Sequence, residues 1–109
     1  MAGQYLGLRS ANSNYTLKVT APGGDLSSLS EGFGLKGLTA SSPLAIQSPF
    51  NGTSNNVGAI TTLFQPVFAA SAAVNSGTAT ANLLAKSSLS TPSDTDYQDT
   101  LTFIAAAVF

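Results

Sequence analysis

Tyr15-Thr16-Leu17-Lys18-Val19-Thr20 alternates apolar and polar side chains with strict period two. That period marks a strand with one face in a core and one in water. Asn12-Ser13-Asn14 precedes it and Pro22-Gly23-Gly24-Asp25 follows, both clusters of turn-forming residues. Past the second turn, residues 26–32 have room for a single helical turn capped by Asp25. Residues 33–39 form a candidate strand carrying Gly34 and Gly37, glycines that mark a bulge or a close backbone contact. Residues 43–48 give another strand, stopped by Pro49. Asn51-Gly52 is suited to the positive φ angles of a tight turn.

Two further elements, 57–64 and 67–74, divide at Gln65-Pro66. The second is rich in Ala, so a short helix competes with a strand there. Ser76-Gly77 turns the chain, residues 78–85 resume as a strand, 87–96 form a polar loop, and 100–109 close the sequence as a last strand. Short strands spaced about 8–12 residues apart with Gly, Pro and Asn between them predict an all-β fold. The expectation is a single antiparallel β-sandwich of about seven strands, Ig-like or pilin-like. Its core would draw on Tyr15, Leu17, Val19, Phe33, Leu35, Ile46, Ile60, Leu83, Leu101 and Phe103.

Composition narrows the function. From Gly37 to Ala85 the chain runs 49 residues without Asp, Glu, Lys or Arg. At about 25% charged residues, a given stretch of that length would stay empty with a chance on the order of one in a million. The net charge is −1, and charge is what keeps soluble monomers apart. With 109 residues, 43% of them apolar, there is room for one domain with a real core. A polar, uncharged surface on such a domain suits a protein packed against copies of itself.

Other classes fall away. Arg9, Lys18, Lys36 and Lys86 are too few and too scattered for a phosphate-binding patch or a basic membrane-surface helix, so no nucleic-acid partner is expected. The absence of Cys and His removes thiolate metal sites, disulfides and the commonest general base. Residues 57–74 are uncharged but carry Gly58, Gln65, Pro66 and several hydroxyls, so no membrane span is expected. Met1-Ala2-Gly3-Gln4-Tyr5 lacks the charged region of a signal peptide, so export would need a leader already removed or of an unfamiliar kind.

The final segment, Tyr97-Gln98-Asp99-Thr100-Leu101 running into Phe103-Ile104-Ala105-Ala106-Ala107-Val108-Phe109, resembles the closing strand of secreted β-sandwich pilins of the spore coat U and archaic chaperone–usher group. Those pilins commonly carry a disulfide, and the Cys-free fibre subunits of other bacteria and archaea are an equally good comparison. The resemblance implies donor-strand exchange, in which one subunit's terminal strand completes the next subunit's sheet. Residues 1–11 are the possible N-terminal donor, with Leu6 and Leu8 to fill a neighbour's groove and residues 12–109 as the sandwich. Phe103, Ile104, Val108 and Phe109 are further candidate assembly residues.

The expected function is a structural subunit of a self-assembling extracellular, cell-surface filament or pilus-like fibre (a fimbrium), with copies of itself as partners. The alternatives are a virion component, such as a capsid decoration or tail protein, and a carbohydrate-binding module. The carbohydrate reading has no Trp to serve it and only Tyr5, Tyr15 and Tyr97 as platforms. No catalytic residue and no cofactor are expected: Lys86-Ser87-Ser88 places its Lys and first Ser on opposite strand faces. Asp94, Asp96 and Asp99 are a Ca²⁺ candidate without EF-hand spacing. Asn14 and Asn51 head glycosylation sequons. Lys18, alternating with core residues, should face outward, away from any isopeptide chemistry.

Overall fold

In a computed structural model of the chain, residues 7–20 and 23–105 are described in full and Ala2–Gly3 by backbone alone. The described residues form ten short strands and no helix. In chain order these are β1 (Ala2–Gly3), β2 (Gly7–Arg9), β3 (Thr16–Lys18), β4 (Gly24–Asp25), β5 (Gly32–Ala40), β6 (Leu44–Ile46), β7 (Asn56–Val57), β8 (Phe68–Ala70), β9 (Ala79–Lys86) and β10 (Leu101–Thr102). All-β is the fold class. Every ladder is antiparallel and two-stranded: β1–β10, β2–β3, β4–β7, β5–β9 and β6–β8.

The alternating stretch that opens the sequence behaves as its period requires. Leu17 is buried, its neighbours Thr16 and Lys18 are not, and Lys18 faces outward. β5 then crosses the middle of the molecule. One edge pairs with β9 over the length of the strand. The other edge is taken up piecemeal: Thr20 N donates to Phe33 O, Leu35 N to Gly58 O, and Gly37 N to Phe50 O. Its first four residues are buried on both faces, which explains Gly34. A Cβ on Gly34 would stand 2.5 Å from Val57 Cγ2, so this is the close approach the sequence suggested. Gly37 begins the bulge, where the register with β9 shifts between Gly37 and Thr39.

The core cluster is Leu17, Phe33, Leu35, Phe50, Ile60 and Val67, with Leu8, Val19, Ile46, Phe68 and Leu101 packed against it. Most of the expected core is there. Three members are corrected: Leu83 is 53% and Phe103 62% exposed, and Tyr15, half-buried, stands outside the cluster with its hydroxyl on Glu31. Leu83 lies opposite Leu35 and so shares its face, but among the described residues no strand pairs with the other edge of β9. Phe103 lies past the end of β10, which stops at Thr102. Phe50, Val57 and Val67, all buried, were not expected.

Several local expectations shift. Residues 26–32 make an Asp25-capped turn but no helix. Leu29 N reaches Asp25 O at 3.2 Å and Ser27 N bonds Asp25 Oδ1 at 2.9 Å. In the loop after Asn51-Gly52, the positive φ falls on Ser54, at 53°. The Ala-rich stretch is a three-residue strand with Ala69 and Ala70 exposed, not a helix. Residues 57–64 yield a strand only at their start, in β7. Within 100–109, only Leu101–Thr102 is strand among the described residues. No helix among the described residues is long and apolar enough to cross a membrane.

Candidate functional site

The surface that stands out is the outer edge of β9. Its inner edge is fully used by β5, from Lys86 opposite Gly32 to Ala79 opposite Ala40. Among the described residues the strand has no second ladder. An exposed edge presents a row of amide N–H and C=O groups that template another strand, and proteins normally blunt such edges with charges, Pro or short length. β9 is eight residues long and reads Ala-Thr-Ala-Asn-Leu-Leu-Ala-Lys, with its single charge at the last position. Residues 79–83 are all exposed. The edge is therefore unguarded over most of its length.

Clefts flank the same strand. One, of about 430 Å³, runs between Ala85, Leu8, Leu17, Pro92 and Tyr97. Another, of about 500 Å³, touches Leu26, Asn55 and Leu83–Lys86. Both are open and shallow; the first is also lined by Ser87, Thr91, Ser93 and Asp94, the last of them bound by Ser10.

The expected assembly residues separate. Leu8 is half-buried and pairs with Leu17 of its own chain in the β2–β3 hairpin. Ala2–Gly3 pair with Leu101–Thr102, so the 1–11 segment is strand-paired within its own chain at two places. Leu6, Val108 and Phe109 lie outside the described residues. Phe103 and Ile104 are 62% and 65% exposed, in backbone that is not strand.

The loop between β2 and β3, read from sequence as a turn, is clasped. Asp96 Oδ2 accepts from Ala11 N at 2.8 Å and Asn12 N at 3.1 Å. The fully buried Ser10 hydroxyl meets Asp94 Oδ2 at 2.8 Å and also Asp96 Oδ1. With one hydrogen, it donates to one carboxylate at a time. Ser10 and the backbone amide of Thr95, followed by Asn12, hold the Asp94 carboxyl below its usual range. Asp94 and Asp96 thus serve the chain's own loop. Asp99 Oδ1 accepts from Thr100 N at 2.7 Å, and among the described residues no three acidic side chains gather as a metal site. Sequence reading offered these aspartates as a Ca²⁺ candidate and missed the clasp, because Ser10 lies over eighty residues away with nothing to announce the contact.

A second polar group ties the hairpin to β5's entrance. The Tyr15 hydroxyl donates to Glu31 at 2.6 Å, and Thr91 Oγ1 donates to Glu31 Oε2 at 2.7 Å. These bonds hold the Glu31 carboxyl below its usual range, Tyr15 first and Thr91 second, and the Tyr15 phenol is raised by the same carboxylate. A lowered carboxyl contributes stability above its unfolded-state pKa and loses it as pH falls through the folded value. A raised phenol contributes below its unfolded-state pKa and loses it as pH rises. Melting temperature should therefore hold a plateau between about pH 5 and 10 and fall on both sides. Thermal melts across pH should show both arms, and Glu31→Gln should flatten the alkaline one; an unchanged alkaline arm would refute the Tyr15–Glu31 coupling.

The remaining candidates have plain surroundings. Asn14, at φ 56°, and Asn51 are exposed in loops. Tyr97 donates its hydroxyl to Pro92 O at 2.7 Å and lines the smaller cleft. Lys86 Nζ points to Ser27 O at 3.4 Å. Compared with known proteins, the chain matches no family model, no curated protein and no solved structure.

Proposed function

We propose that this chain is the structural subunit of a self-assembling extracellular filament or pilus-like fibre, its Ig-like sandwich completed by a strand from a neighbouring copy and its subunits joined non-covalently. One observation carries the reading: β9 offers a long outer edge with no charge before Lys86. A protein that lives as a monomer guards such an edge. The uncharged run from Gly37 to Ala85 spans that strand and removes the repulsion that would oppose stacking of copies. The resemblance of the closing segment to secreted pilins supports the same assignment. So does the supply of exposed apolar side chains, Leu63, Phe64, Leu83, Phe103 and Ile104 among them, on a chain with few charges to offset them.

Intermolecular strand pairing adds a ladder of hydrogen bonds and buries side chains together, so the polymer should survive heat and detergent that unfold an isolated domain. Negative-stain micrographs of the purified native protein should show open filaments. Closed shells would move the chain to the virion class. A protein that sediments as a monomer at high concentration in native buffer and ions would defeat the structural reading altogether.

A further inference from the structure

We propose that Asn51 is a self-modifying site, where the backbone nitrogen of Gly52 attacks the Asn51 side-chain carboxamide and the chain turns its own asparagine into an acidic residue. The step balances with water as its only co-reactant. Gly52 N bonds to Asn51 Cγ and closes a succinimide ring. The Cγ–Nδ2 bond breaks, and ammonia leaves with the proton that Gly52 N gives up. Water then opens the ring on either side of Gly52 N. Breaking the bond to Cγ leaves aspartate. Breaking the bond to the Asn51 backbone carbonyl leaves isoaspartate, whose main chain runs through Cγ. The reaction needs one loop of one copy, so it is independent of the filament reading.

The requirements of this reaction meet in the segment between β6 and β7. Asn51 is exposed in a turn. Among the described residues neither its carboxamide nor Gly52 N makes a hydrogen bond, so the carboxamide is free to swing and the attacking nitrogen is unengaged. Gly52 has no side chain to crowd the attack. The loop itself calls for glycine there, since a Cβ would stand 2.8 Å from Asn56 Cβ. The anchors on either side are firm: Phe50 is tied to Gln47 and Gly37, and Asn56 N bonds Thr53 O at 3.0 Å. A change at Asn51 therefore falls between fixed points and leaves the core in place.

No other asparagine combines these features among the described residues. After Asn12, Ser13 N is held by Ser10 Oγ at 3.1 Å, and after Asn55, Asn56 N is held by Thr53 O. Asn14 is followed by bulky Tyr15, whose N bonds Ser13 Oγ at 3.4 Å. Asn56 and Asn82 lie in β7 and β9. Asn75 comes nearest, exposed beside a Ser76 N that makes no hydrogen bond among the described residues, but the Ser76 side chain hinders the attack. The product matters electrostatically: it puts an acid into the uncharged run from Gly37 to Ala85 and doubles the net charge of −1. It also ends the Asn51 sequon, whereas a glycan already on Nδ2 would block the ring closure.

The test ages the full folded protein at neutral and at mildly alkaline pH and follows intact mass and peptide maps. A gain of about 1 Da should appear first in the peptide holding Asn51, as a mixture of aspartate and isoaspartate with ammonia released in step. It should come faster at the higher pH, because the attacking amide must lose its proton. Asn51→Gln, whose longer side chain does not form the succinimide, should lose this early gain while melting as the wild type does. Ageing in denaturant should bring Asn12 and Asn55 closer to Asn51 in rate, because the amides that follow them are then released. An Asn51 peptide that keeps its mass in the folded protein would overturn the inference, whether or not the denatured chain gains it. So would Asn75 converting first. Aspartate without any isoaspartate would overturn it too, since that product comes from direct hydrolysis without Gly52.

Discussion

Phe50→Ala should lower the melting temperature of the domain by roughly 15–25 °C. Phe50 is the largest of the fully buried side chains, at 0% exposure. It packs in the cluster with Leu35 and Ile60, and a Cβ on Gly58 would stand 2.7 Å from its ring. Its backbone is fixed at the same time: Phe50 O accepts from Gly37 N and Phe50 N donates to Gln47 O, both at 2.8 Å. The chain around it cannot collapse into the space the ring leaves, so the substitution costs about 3–5 kcal/mol. For a domain of this length each kcal/mol shifts the midpoint by about 5 °C. Total stabilities of such domains run about 5–15 kcal/mol, so a marginal fold would be lost. Phe103→Ala is the matched comparison. With most of its surface in solvent, it should change the stability of the unassembled chain by less than about 0.5 kcal/mol. Thermal melts of the two variants at low concentration decide the matter; equal losses would mean that Phe103 belongs to the core as the sequence pattern suggested.

Gly34→Val should cost about 3 kcal/mol or more by a different route. The new Cβ would sit 2.5 Å from Val57 Cγ2 and 2.8 Å from Gly58 O. A side-chain methyl could swing aside, but the carbonyl oxygen is held. Leu35 N donates to Gly58 O at 3.1 Å and Gly58 N donates to Leu35 O at 2.8 Å. Relieving the clash means parting these two segments, which places the cost at the upper end for overpacked sites. With a urea slope of about 1–2 kcal/mol/M for a small domain, the unfolding midpoint should drop by roughly 1.5–3 M. Gly23→Asn should be nearly silent by contrast, because nothing lies within 4 Å of a Cβ there and Asn tolerates its φ of 75°. A Gly34→Val midpoint within 0.5 M (~0.5–1 kcal/mol) of wild type would mean that β5 and the segment at Gly58 are not pinned together.

The two substitutions also mark where the fold was legible. Period two placed β3, the turn residues on either side placed β5 and β9, and the glycines of β5 announced its bulge and its close contact. Phe50 escaped because it sits in a turn after Pro49, where no repeat of apolar and polar residues exists to betray burial. Leu83 was placed inside for the converse reason: its alternation fits β9 and its face is the core face, but sequence does not reveal that, among the described residues, no strand pairs beyond β9. Alternation reports which way a side chain points, not whether anything stands opposite. The candidate surface followed the same logic. The missing charge was visible in the sequence, while its concentration on an unpaired edge emerged only with the register of β5 and β9. The clasp of Ser10 with Asp94 and Asp96 needed the third dimension entirely.

β5 is engaged along both edges, by β9 on one side and by Thr20, Phe50 and Gly58 on the other, and its first half is covered on both faces. The remaining ladders among the described residues are two-stranded and short, and pairs of that kind are marginal in isolation. Opening fluctuations can therefore begin in the β2–β3 hairpin or around β6 and β8 without dissolving the whole, whereas exposing the amides of Leu35 or Gly37 requires the cooperative unit itself to come apart. The domain is in this sense organised about a single spindle, with peripheral segments free to breathe while it turns as one piece.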